Sequence, residues 1–311
     1  MSSPQPVRPR IAVLLATYNG RRWLPEQVGS ILDQRDVAVT LFVSDDGSTD
    51  GTVQWLADLA ERDARVILLP SDVPSGSAAA NFYRLTAHAP LGDAELVAFA
   101  DQDDIWMPDK LSRHAALIRE HGYHGVSSNI TSFDELGRRS LVRKSYPQRR
   151  FDYLTESPGP GSTFLMTRSL VKVVREVLAA DPLAPTAEYH DSLIYAVARA
   201  RGLSWHIDTV SSVDYRQHDS NVMGSNVGLG SALTRLRLIR RKWHRGQAIL
   251  HATVGLSVAP PAIRTDLERM LGLMSSRRIR DRFALALAAG GLRRRPRDRW
   301  VIGVLIALGV W

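Results

Sequence analysis

The first apolar run along the chain is "IAVLLAT", residues 11 to 17, rich in branched side chains and without two-residue alternation. Such a run is expected of a parallel strand buried on both faces. "LPEQVGSILDQ" follows with helical apolar spacing. "VAVTLFVSDDGSTDGT" then predicts a strand ending in acidic and small turn residues, "TVQWLADLAERD" a helix, "ARVILLP" a strand, "SAAANFYRLTAHA" a helix, and "AELVAFADQDD" a further strand. Strands alternating with helices specify an α/β fold with a mostly parallel central sheet flanked by helices. Ligands on such sheets bind beyond the carboxyl ends of the strands.

After about residue 125 the pattern loosens. "HGVSSNITSFDELGRR" predicts strand and turn, "GPGSTFLMTRSLVKVVREVLAA" a glycine-rich loop entering a helix, and "HDSLIYAVARARG" another helix. Beyond "YRQHDSNVMGSN" the chain becomes basic and amphipathic. This places a boundary near residue 228, with a catalytic domain over 1–228 and a basic helical extension over 229–311 for membrane docking or oligomerisation.

Composition sharpens this division. The 311 residues carry a net charge of +8, and the excess is C-terminal: Arg235, Arg237, Arg240, Arg241, Lys242 and Arg245 form one cluster, Arg277, Arg278, Arg280 and Arg282 a second, and Arg293, Arg294, Arg295, Arg297 and Arg299 a third. These suit anionic lipid headgroups or lipid-linked phosphates. They lack the aromatic interleaving of a nucleic-acid surface, so no nucleic-acid partner is expected. The closing "WVIGVLIALGVW" is apolar but short of the ~20 residues a spanning helix needs; a shallow interfacial anchor and a core-capping helix are the two readings. No cysteine is present, which removes disulfides, zinc–thiolate sites and cysteine nucleophiles. The N-terminus lacks the apolar segment of a secretory signal, so the expected location is cytoplasmic, at the inner face of the membrane.

The chemistry gathers where two predicted strands end. "SDDGSTDGT" puts Asp45 and Asp46 after one apolar run, and "FADQDDIW" puts Asp101, Asp103 and Asp104 after another. Like charges that close repel unless protonated or neutralised by a cation. Hard oxygen ligands suit Mg2+ or Mn2+, and a cation held by one or two carboxylates keeps positions open for phosphate oxygens. Two carboxylates one residue apart on an extended chain would point to the same side. The glycine fingerprint of dinucleotide-binding enzymes, the phosphate loop of P-loop enzymes and the G-x-S-x-G elbow of hydrolases are all missing.

With these motifs in order, residues 10 to 225 resemble the family 2 glycosyltransferases, whose members have the nucleotide-sugar-binding GT-A fold. The resemblance rests on "LLATYNG", "VSDDGSTDGT", "FADQDDIWMPDKL", "GPGSTFLMTR" and "EYHDSLIYAVARARG". Within the family, "ADQDDIW" with "YRQHDSNVMG" is similar to bacterial rhamnosyltransferases of surface-polysaccharide synthesis. The resemblance implies that Thr17, Tyr18 and Glu26 line a nucleotide pocket and that Asp46 contacts the base. Asp101 and Asp103 form the D-x-D pair, Asp103 as the direct metal ligand and Asp101 nearer the ribose, with Asp104 behind them and Trp106 packing the loop. Asp191 is the catalytic base, kept anionic by a helix N-terminus. His218 closes over the diphosphate or metal, and Arg216 can pair with phosphate. The implied activity is inverting transfer of a sugar, rhamnose as the best guess, from a dTDP- or UDP-sugar to a glycan or lipid-linked glycan. Peripheral membrane association and a homo-oligomer go with this reading. A catalytically inactive sugar-binding or membrane scaffold and a sugar nucleotidyltransferase are the alternatives.

Overall fold

The computed structural model describes residues 8–70, 73–218 and 243–311. Strands β1 (Arg10–Thr17), β2 (Ala38–Asp45), β3 (Val66–Leu68) and β4 (Leu96–Asp101) run parallel, in the order β3-β2-β1-β4. Helices α1 (Leu24–Leu32), α2 (Thr52–Arg62) and α3 (Ala78–His88) connect them, as the alternation predicts. The unbroken apolar run of β1 serves two cores. Ala12, Leu14 and Ala16 pack with α3 on one face, while Ile11, Val13 and Leu15 pack with α1 and α2 on the other.

The sheet changes character past β4. After the two-residue β5 (Ile105–Trp106) and α4 (Lys110–His121) come β6 (Gly125–Phe133), β7 (Arg139–Val142), β8 (Leu165–Thr167), α5 (Arg168–Ala180), α6 (His190–Ala200) and β9 (Trp205–Arg216). β8 runs antiparallel between β4 and β6, β9 lies parallel to β6, and β5 and β7 are antiparallel to β9 and β6. The parallel half is therefore the one that was patterned strand by helix. β8 was hidden inside the predicted loop-to-helix segment, because three residues are too few to show a period.

Helices α7 (Trp243–Val258), α8 (Pro261–Ser275), α9 (Ile279–Leu287) and α10 (Pro296–Ala307) complete the described chain. They share one core with the sheet: Ala248, Leu267, Met274, Ile302 and Ile306 belong to the apolar cluster that holds Phe82, Phe164 and Tyr195. The close fit of α7 shows at Gly255, where a Cβ would stand 3.0 Å from Ala200 Cβ. The boundary expected near residue 228, the cluster Arg235 to Lys242 and the end of "YRQHDSNVMG" lie outside the described residues. Among the described residues no helix is long and apolar enough to cross a membrane.

The arginine clusters were expected to form a docking face, and for Arg294 the structure corrects this. Arg294 is buried and pairs through Nη1 with Asp152 at 3.2 Å and through Nη2 with Glu156 at 3.3 Å. Arg199 also reaches Asp152 at 3.2 Å, and the Tyr195 hydroxyl donates to it. Arg294 thus fastens the C-terminal helices to the sheet domain.

Candidate active site

The carboxyl ends of β1, β2 and β4 are level, since Thr17 pairs with Asp45 and Ala16 with Asp101. Every acidic residue singled out at a strand end therefore meets one rim. The carboxylates have different fates. Asp45 is consumed by its own turn: Oδ1 accepts from the Gly47 and Ser48 amides at 3.0 and 2.8 Å, and Oδ2 from the Thr17 and Ser48 hydroxyls at 2.7 and 2.6 Å. Thr17 is thus buried with its hydroxyl turned to Asp45. Asp46 holds the loop before α3, accepting from the Ser75 amide and hydroxyl, from the Gly76 amide at 3.0 Å and from Arg84 Nη2 at 3.3 Å.

The turn after β1 is pinned to the one after β4. Gln102 accepts from the Tyr18 amide at 2.8 Å and donates to the Tyr18 carbonyl at 3.0 Å, leaving the phenol ring of Tyr18 exposed. This approach requires a glycine next in line, because a Cβ on Gly20 would lie 2.2 Å from Gln102 Oε1. Glu26, on α1, pairs at 2.5 Å with Arg216, whose Nε also donates to the Asp103 carbonyl at 3.0 Å.

The D-x-D pair does not continue the strand, as the extended geometry had predicted. β4 ends at Asp101 and the chain turns at Gln102 and Asp103 before β5 pairs with β9. The turn, rather than strand alternation, brings the two carboxylates to one cleft. It also sends Asp104 inward. Asp101 is pushed up to about 7 by burial first, and then by the negative charges of Asp103 and Asp191. Asp101 thus lies within electrostatic reach of both Asp103 and Asp191. Asp103 Oδ2 stands 2.7 Å from His218 Nε2, and the His218 ring stacks on Trp23 at 4.2 Å.

Asp191 lies in the first turn of α6, the helix that was predicted. Its Oδ1 accepts from the Ser192 amide at 2.6 Å. The expected balance is reversed, however: burial outweighs the hydrogen bonds from Ser157 and Ser192 and the nearby Lys144 charge, and raises its pKa above the usual carboxylate value. His190 beside it is a core residue, stacked on Phe82 at 3.9 Å and held down to about 3 by burial. It also explains Gly161 in "GPGS", since a Cβ there would strike His190 Nε2 at 2.3 Å.

Sequence reasoning missed what lies beneath the turn. Asp104 and Lys110 are both buried, and Lys110 Nζ has no hydrogen-bond partner among the described residues. Burial pushes the acid well up and the amine well down, toward a neutral pair. Lys110 Nζ sits 3.1 Å from the centre of the buried Trp106 ring, so Trp106 packs the turn from below. The only sequence signal was a lysine inside an otherwise apolar-facing helix start.

Among the described residues no group of three or more His, Asp or Glu side chains could hold a metal ion by itself. The paired Asp101 and Asp103 nevertheless fit a cation whose shell is completed by substrate oxygens, because the Asp103 charge disfavours ionisation of the buried Asp101.

Comparison with known proteins agrees with this geometry. The profile described as "Glycosyl transferase family 2" matches residues 12–175. A "dTDP-rhamnosyl transferase RfbG" of Shigella flexneri is 36% identical over 233 residues, which is 74% of this chain and 81% of that protein. Among solved structures, S. aureus TarS 1-349 in complex with UDP-GlcNAc superposes with a TM-score of 0.59 at 16% identity, covering 97% of this chain and 81% of that one. The mannosyltransferase PcManGT from Pyrobaculum calidifontis, in complex with GDP-Man and Mn2+, gives 0.53 at 19% identity, covering 98% and 81%. These two likenesses show the GT-A fold.

Proposed function

Since the chain belongs to glycosyl transferase family 2, we propose that it moves a sugar, with inversion, from a nucleoside diphosphate donor to a hydroxyl of a glycan or lipid-linked glycan. It is a glycosyltransferase. Its donor is dTDP-rhamnose, in line with the dTDP-rhamnosyl transferase of Shigella flexneri to which it is similar. The acceptor is presented at the inner membrane face, where the enzyme docks peripherally and as a possible homo-oligomer.

What supports the reading is that the charges of Asp103 and Asp191 both act on Asp101 at the carboxyl edge of the sheet. Thr17, Tyr18 and Glu26 border the nucleotide side, with Asp46 toward the base, where the nucleotide would replace Ser75 and Gly76 as its partners. A divalent ion on Asp103, with Asp101 beside it, would supply charge to offset that developing on the leaving diphosphate. His218, hydrogen-bonded to Asp103, orients that carboxylate. Asp191, raised by burial, takes the acceptor hydroxyl proton while its Oδ1 stays tied to Ser192. A single displacement from the opposite face gives inversion.

The test is chromatographic detection of sugar transfer from dTDP-rhamnose, compared with UDP- and GDP-sugars, on lipid extracts with and without Mn2+. Consumption of dTDP-rhamnose into a glycolipid product by the wild type, and its loss in Asp191→Asn, support the reading. Turnover of that variant at the wild-type rate removes Asp191 from the base role.

A further inference from the structure

The C-terminal helices carry two features that the acidic cleft does not use. The first is a cavity of about 630 Å³ between α7, α8, α9 and the last residues, bordered by Arg245, Arg277, Arg282, Ser276, Ile306 and Trp311 among others. All the charged side chains on its described lining are arginines. Arg245 is held below the usual arginine range by burial and then by the positive charge of Arg277, although it donates to the Met274 and Ser276 carbonyls at 2.6 and 2.8 Å. Arg282 Nε is buried with no hydrogen-bond partner among the described residues. Gly309 makes room for that guanidinium: a Cβ there would be 2.7 Å from Nη1. The nearest carboxylate in sequence, Asp281, is turned to the Ser276 hydroxyl at 2.6 Å and to Arg280. Guanidiniums gathered in a cavity with an apolar floor and no acidic side chain on the described lining suit an amphiphilic anion.

The second feature is the outer face of the same helices. Ile279, Phe283 and Leu287 repeat every four residues on α9, and Trp300, Val301, Val304 and Leu308 form a stripe on and just past α10, which packs against α9. Leu287 is 89% exposed, Trp300 76% and Leu308 69%. Around them Arg277, Arg278, Arg280, Arg295 and Arg297 are exposed. An apolar stripe with a cationic rim and a tryptophan is the composition of an interfacial surface. A second copy seated on it would bring two arginine rims together, a repulsive arrangement.

We propose that this layer docks onto a bilayer, taking the phosphate headgroup of an anionic lipid into the Arg245–Arg277–Arg282 cavity while the α9–α10 stripe enters the acyl boundary. The inference rests on the membrane-facing part of the proposed function, yet its observations are separate from the donor cleft.

The test is co-sedimentation of the full chain with vesicles of phosphatidylcholine alone, or of phosphatidylcholine with phosphatidylglycerol. The wild type should prefer the anionic vesicles by at least about tenfold. Phe283→Asp combined with Trp300→Asp should lose binding to both, whereas Arg277→Gln combined with Arg282→Gln should lose only the preference. Circular dichroism, and stabilisation of each variant by dTDP with Mn2+, confirm folding. Equal binding of wild type to both vesicles overturns the proposal. So does a change of molar mass in light scattering caused by Phe283→Asp and Trp300→Asp, which makes the stripe a contact between copies. Stabilisation by inorganic phosphate or pyrophosphate, lost in the arginine double variant, with no anionic-vesicle preference, makes the cavity a site for a free anion and also overturns the proposal. Asp191→Asn should bind vesicles like the wild type, so failure of the catalytic reading leaves this result intact.

Discussion

Two buried acidic regions of this protein are built on opposite principles. Asp152 lies wholly inside the molecule, yet two guanidiniums, Arg199 and Arg294, and the Tyr195 hydroxyl meet its oxygens. In the cleft, Asp101 and Asp191 are raised by burial, and Asp101 also by neighbouring carboxylates. The first region closes its charge internally and so joins two parts of the chain. In the second, the proposed cation and donor would complete the charge from outside. A buried carboxylate with all partners in place contributes to integrity; one surrounded by its own kind waits for a ligand.

The largest expected effect separates the two regions by activity. Asp191→Asn removes the proton acceptor and should cut transfer by roughly 10²–10⁴-fold, with nucleotide binding retained in a thermal-shift titration. Wild-type turnover would place the base elsewhere.

Next comes stability. Arg294→Met leaves Asp152 with one guanidinium instead of two and should cost roughly 3–5 kcal/mol in urea denaturation. A loss smaller than about 1 kcal/mol would mean that solvent reaches Asp152 and that the pair is ordinary surface chemistry.

A smaller effect of opposite sign is expected in the cleft. Asp101→Asn at pH 8 removes a charge that the folded state disfavours, so it should raise the melting temperature of the ligand-free protein while lowering transfer. A lower melting temperature would show that Asp101 is satisfied in the way Asp152 is.

The pH dependence follows from the same shifts. Asp101 has a folded value near 7, above its unfolded value, so its contribution is fullest below the unfolded value and is lost as pH rises through about 7. His114 and His190, held down to about 3, and His251, held down to about 4, act in the other direction. Their contribution is complete above the unfolded value near 6.5 and declines as pH falls toward the folded values. Melting curves in the ligand-free state should therefore weaken on both sides. Addition of Mn2+ and dTDP should help most on the alkaline side, where the cleft carboxylates are ionised.

Much of this was legible in the chain, for identifiable reasons. β1, β2 and β4 are long and buried on both faces, so their runs and their acidic ends stood out together. β5 and β8 have only two and three residues, and β9 mixes Asp208, Ser211, Ser212 and Asp214 into its strand, which hides its period. Asp45 and Asp46 look equivalent as letters; only the Gly47–Ser48 turn and the loop at Ser75 separate their partners. Arg294 looked like its neighbours because its counter-charge, Asp152, lies 142 positions away. A still longer separation, 190 positions, concealed the pairing of Arg216 with Glu26.

The most direct measurement of the central claim is calorimetric titration of dTDP into wild type and Asp103→Asn at pH 8, each with and without Mn2+. The account predicts tight binding only for the wild type with the cation, and at least about tenfold weaker binding in the other three cases. Equal affinity in all four would show that the acidic rim does not hold a cation–diphosphate pair.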